Sequence, residues 1–82
     1  MTTPTLDIKI LGPGCKNCHA LEAATRQALT DLGLDATIEN VTDFADIAAY
    51  GVLSTPGLVV NGTVVSAGRV PTASRIAELL AV

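Results

Sequence analysis

Residues 12–21 read GPGCKNCHAL, and Cys15 and Cys18 are the only cysteines in the 82-residue chain. Two cysteines at this spacing can crosslink the chain, hold a soft metal ion, or cycle between dithiol and disulfide. As a crosslink they would contribute little, because disulfide stabilisation grows with the length of the loop closed, and this loop is very short. As a structural zinc site they lack ligands. Such a site takes four Cys or His side chains, and the chain offers Cys15, Cys18 and His19 with no further Cys or His. No intramolecular zinc site is expected. Copper(I), which soft thiolates select, and trivalent arsenic stay open as cargo of a metallochaperone. A binding module whose dithiol senses redox state stays open too. The third use is nucleophilic: a thiolate attacks a disulfide and a second thiol resolves the product.

That third use depends on where the pair sits. Residues 5–11 (TLDIKIL) alternate Leu6, Ile8 and Ile10 against Asp7 and Lys9, the pattern of a strand with one apolar face. Gly12-Pro13-Gly14 breaks the alternation, and a helical period runs over 15–32 with Leu21, Ala24, Ala28, Leu29 and Leu32 on one side. Gly33 is placed to end that helix. Cys15 therefore falls at a strand-to-helix junction, where unpaired N–H groups and the helix dipole favour an anion. A thiol pKa of about 8.5 can drop there to roughly 3.5–7.5. Lys16 and His19 are candidates for tuning it further. Cys18 lies one turn deeper on the same side, a position suited to a resolving thiol.

Past the first helix, residues 35–41 read as a second strand. Thr42 or Asp43 can cap a short helix with Phe44, Ile47 and Ala48 as its apolar side. Residues 58–60 and 63–66 are β-branched runs joined by Asn61-Gly62, the strongest short hairpin signal. Thr72 can cap a last helix with Ile76, Leu79 and Leu80 on one side. The order is β-α-β-α-β-β-α. A helix joins the first two strands, so they should run parallel with a right-handed crossover, and the hairpin is antiparallel. The expected fold is α/β, a four-stranded mixed sheet with helices on both faces, in one domain spanning 1–82.

Composition narrows the partners. Net charge is −3 with five basic residues and no basic stripe, which argues against nucleic acid. No apolar run approaches the roughly 18 residues that span a bilayer. The opening MTTPTLDIKI has no basic segment followed by a long apolar one. The cytoplasm is thus the expected compartment, where dithiols are kept reduced. Phe44 and Tyr50 are the only aromatic residues, so the core must be aliphatic.

A second stretch, STPGL at 54–58, places a proline directly before a buried strand. Proline cannot donate to a strand ladder and belongs at a strand's first residue. GPGCKNCHAL followed by STPGLVVNGTVVSAGRVP, in this order of elements, resembles the thioredoxin-like superfamily, in particular its small redox-active disulfide proteins with a minimal thioredoxin fold. The resemblance spans nearly the whole chain. It implies a thiol–disulfide oxidoreductase in which Cys15 attacks and Cys18 resolves. It also implies a cis Pro56 against the disulfide, a Thr55 backbone free to pair with substrate, and a Gly68 that allows close approach beside the site. No bound cofactor is implied. The implied partners are proteins carrying disulfides and a flavoprotein resembling thioredoxin reductase as electron donor. SAGRVP offers Arg69 but lacks the acidic residues with which glutaredoxins hold glutathione. Thioredoxins also carry a Trp before the first cysteine and an acid in the preceding strand, where this chain has Gly14 and Lys9.

Overall fold

The computed structural model describes residues 6–80. Four strands, β1 (Leu6–Leu11), β2 (Ala36–Val41), β3 (Gly57–Val60) and β4 (Thr63–Ala67), form one sheet in the order β2-β1-β3-β4. β1 pairs parallel with β2 and antiparallel with β3, and β3 pairs antiparallel with β4. Helices α1 (Lys16–Leu32), α2 (Phe44–Ala49) and α3 (Ala73–Leu80) complete the expected β-α-β-α-β-β-α order. The strand pattern in the sequence starts at Thr5, which lies outside the described residues. Cys15 stands just before α1 as its N-cap, so the helix starts one residue later than its period suggests.

The strands' alternation divides the core in two. Ile8, Ile10 and Leu58 point to one face, where they meet Leu21, Ala28 and Leu29 of α1 and Ile76 and Leu80 of α3. Leu11 and Val59 point to the other face and meet Ile47 of α2 together with Val52. β1 therefore buries apolar side chains on both faces, although its sequence reads as one-sided. Thr25 is fully buried within α1, and its hydroxyl donates to the Leu21 carbonyl at 2.7 Å, which satisfies the group.

The Asn61-Gly62 turn forms as expected, with φ of 50° and 83°. Asn61 also does something its turn role does not require. Its Oδ1 accepts from the Asp7 N–H at 2.9 Å, and its own N–H donates to the Asp7 carbonyl at 2.7 Å. The tip of the hairpin is thereby pinned to the start of β1. A register shift between Leu58 and Val59 leaves Val65 as an extra residue in β4, so that Val65 and Ser66 both lie on the α1/α3 side.

α2 corrects one expectation. Asp43 caps it, accepting from the Ala45 N–H at 2.8 Å, and only Ile47 of the expected apolar trio is buried. Phe44, the first residue of the helix, is 71% exposed.

Candidate active site

The C-terminal ends of β1 and β2 and the N-terminal end of β3 meet at one end of the sheet. Leu11 pairs with Gly57, and the Gly12 N–H donates to the Val41 carbonyl at 2.9 Å. β4 ends there too, where the Gly68 N–H donates to the Pro56 carbonyl at 2.9 Å. Four segments distant in sequence thus converge on the loop that carries Cys15.

Within that loop Gly14 has a φ of +89°, and open space surrounds the position a Cβ would take. This is a conformation L side chains rarely adopt. The same backbone therefore accounts for Gly14 and for the missing Trp at this position. Cys15 follows with an extended backbone, and its sulfur accepts from the Cys18 N–H at 3.3 Å. A cysteine here takes the place usually held by Ser, Thr, Asp or Asn at a helix start.

The Sγ atoms of Cys15 and Cys18 are 2.7 Å apart, and both cysteines are free. Their surroundings are unequal. Cys15 is exposed, whereas Cys18 is 3% exposed. The Cys18 thiol, with the backbone N–H groups of Cys18 and Asn17, stabilises a thiolate on Cys15 and lowers its pKa below the ordinary cysteine range. Burial raises that of Cys18, and its hydrogen bond to Cys15 adds to the effect. The directions are opposite: Cys15 is the thiol more readily ionised and Cys18 the one that holds its proton longer. An exposed thiolate backed by a buried thiol can attack an electrophilic sulfur from solvent and be attacked in turn from within.

Thr55 is exposed, and among the described residues no backbone hydrogen bond involves it. The Thr55–Pro56 bond is cis, and Pro56 is fully buried. Gly68, with φ of +76°, lies so close to Ser54 that a Cβ would stand 3.0 Å from the Ser54 Cβ. Lys16 and His19 are exposed on the first turn of α1. The groups that lower Cys15 are the Cys18 thiol and backbone amides. Among the described residues no group of three or more His, Cys, Asp and Glu side chains is arranged to hold a metal ion.

Sequence reasoning missed Gly12. It is buried within this junction, and the space a Cβ would occupy there is taken by the Cys18 Sγ. A Gly-Pro-Gly run reads as a turn, and nothing local marks its first glycine as a contact. Lys9 stands where thioredoxins carry an acid. It sits within β1, 24% exposed at the side chain, and donates to the Glu39 carboxylate at 2.8 Å with Asp7 at 3.6 Å. The Glu39 hydrogen bond raises its pKa. With Glu39, Asp46 and Tyr50 it lines a cavity of about 350 Å³ on the α2 face, across the sheet from α1.

A family model described as a thioredoxin domain matches residues 6–81. A protein named thioredoxin from Methanothermobacter thermautotrophicus is 37% identical over 75 residues, covering 92% of this chain and 97% of the relative. A protein of the same name from Methanocaldococcus jannaschii is 37% identical over 73 residues, covering 89% and 84% respectively.

Proposed function

Because the chain belongs to the thioredoxin family and is a thiol–disulfide oxidoreductase, we propose that Cys15 is its attacking group, Cys18 its resolving group, and residues 1–82 the single domain that carries the reaction. The observation that supports this best is the inequality of the two cysteines: an exposed Cys15 whose pKa is lowered, 2.7 Å from a buried Cys18 whose pKa is raised.

The Cys15 thiolate attacks one sulfur of a substrate disulfide, forming a mixed disulfide and expelling the other substrate sulfur as a thiolate. Cys18 loses its proton and attacks the Cys15 sulfur. The bond between Cys15 and the substrate breaks, and the second substrate thiolate leaves. The substrate has gained two electrons and two protons, one proton from Cys18 and one from solvent, and Cys15 and Cys18 are joined. An external reductase restores the dithiol. A flavoprotein resembling thioredoxin reductase is the donor we favour over glutathione, since the segment after β4 carries Gly68 and Arg69 without the acidic residues that hold glutathione in glutaredoxins. The substrates are proteins with accessible disulfides, met in the cytoplasm. Among the described residues no helix is long and apolar enough to cross a membrane. Thr55, with its backbone unpaired beside the thiols, would take up an extended substrate segment by strand addition, and Pro56 and Gly68 would shape that groove.

Trapping tests the assignment. Cys18→Ser should accumulate a mixed disulfide with a model protein disulfide, visible as a non-reducing gel shift, and Cys15→Ser should not. Equal trapping by both variants, or by neither, overturns the roles. Disulfide reduction assayed with flavoprotein reductase and with glutathione in turn identifies the donor.

A further inference from the structure

We propose that Gly12 is a positioning residue for the dithiol: the hydrogen in place of a side chain at residue 12 forms the slot that holds the Cys18 sulfur against Cys15. The proposal deepens the assignment of Cys18 as the resolving thiol and rests on it.

The glycines of this chain fall into two groups. Gly14, Gly33, Gly51, Gly62 and Gly68 have positive φ, which by itself accounts for glycine. Gly12 does not. Its backbone makes no demand that alanine could not meet, so the reason for glycine must lie in the space around it. A Cβ built there lands on the Cys18 Sγ, with the Cys18 Cβ at 3.6 Å and the Thr55 Cβ at 3.7 Å. The last two are ordinary van der Waals contacts. The sulfur alone stands in the way.

The backbones on both sides of this contact are held, which leaves only the Cys18 side chain to move. Gly12 is buried and tied to β2 through its N–H bond to Val41, and Leu11 before it pairs with Gly57. Cys18 is on α1, whose register is fixed by Leu21 and the apolar side chains that follow it. A methyl group at residue 12 would be accommodated by turning the Cys18 side chain out of its slot. In the dithiol that rotation is open to it. In the disulfide it is not, because the sulfur is bonded to Cys15. The methyl group therefore penalises the disulfide more than the dithiol. It also withdraws the resolving sulfur from the Cys15 sulfur of a mixed disulfide.

Gly12→Ala tests this. The equilibrium of the Cys15–Cys18 pair with a reference dithiol is expected to shift at least tenfold toward the reduced form, a rise in potential of about 30 mV or more. The mixed disulfide with a model protein should persist at least tenfold longer than in the parent. A control separates the sulfur from general damage to the fold. In a Cys18→Ala background the obstructing atom is gone, so Gly12→Ala should there leave the urea midpoint nearly unchanged, while in the oxidised parent it lowers it. If the single variant does not fold, a folded Gly12→Ala/Cys18→Ala double variant supports the slot, and an unfolded one overturns it. An unchanged potential, or an equal loss of stability in both backgrounds, also overturns the proposal. These measurements use the protein's own dithiol and need no physiological substrate. They can fail while the oxidoreductase assignment stands, and that assignment can fail in the trapping experiment without them.

Discussion

Cys15 and Cys18 are three residues apart, yet their surroundings push their protonation in opposite directions. The stability of the dithiol form must therefore depend on pH in two opposed ways. Cys15 is depressed in the fold, so between its lowered pKa and the ordinary value of about 8.5 the folded chain has shed a proton that the unfolded chain still holds. Stability rises with pH across that window and is lost as pH falls through it. Cys18 is raised, so above about 8.5 the unfolded chain sheds a proton that the folded chain keeps, and stability falls as pH rises toward the raised value. The reduced protein should show a stability maximum near the ordinary thiol pKa, and the oxidised protein, with no thiols to titrate, should not. Urea unfolding of both forms across the range from mildly acidic to alkaline pH checks this, and parallel profiles would sink it. Alkylation with iodoacetamide should follow the same split. Cys15 reacts with an inflection below about 8.5, and Cys18 is slower at every pH at which the protein is folded.

At the scale of elements, the Asn61-Gly62 hairpin does two jobs, and substitution can separate them. Asn61→Gly keeps the turn and loses the bond to the Asp7 N–H, costing about 1 kcal/mol. Asn61→Ala loses the same bond and also places an ordinary side chain at positive φ, for a total of about 2 kcal/mol. Chemical denaturation of the three proteins gives the order, and equal losses would assign the whole effect to the hydrogen bond. The turn is legible in the sequence because a type I′ conformation demands particular residues locally. So is the placement of Cys15, since strand alternation, a glycine break and a helical period are all short-range signals. What escapes is set through space. Gly12 answers to a sulfur on the next element. Lys9 is held by Glu39 on the neighbouring strand. Phe44 fits the apolar period of its helix and is nonetheless left in solvent. The extra Val65 follows from a register between β3 and β4 that no residue in either strand announces. The proline before β3 is legible as an anomaly, and it takes the position of Thr55 beside Gly12 to join it to the cysteines.

For the whole molecule, the sheet has a firm middle and softer margins. β1 and β3 lie between other strands, and their Ile8, Leu11, Leu58 and Val59 are fully buried. β2 is an edge strand with no buried residue, and α2 contributes Ile47 alone. Amide exchange should divide the same way, with β1 and β3 exchanging only through global unfolding and β2 and α2 orders of magnitude faster. Uniform protection across the four strands would contradict this division. The cysteines sit where the firm strands end, so the slot at Gly12 is built on β1 while the exposed face of the site belongs to loops.

Phe44 and Leu53, 71% and 98% exposed, stand on segments that follow β2 and lead into β3, at the end of the sheet that carries the thiols. The chain contains no tryptophan, so it is dark to excitation at the red edge of protein absorbance. Because Phe44 supports nothing beneath it, an indole could be installed there at little cost to the fold. It would be the molecule's sole fluorophore of that kind, and a substrate arriving at this end of the sheet could be followed by its emission against no background from the protein itself.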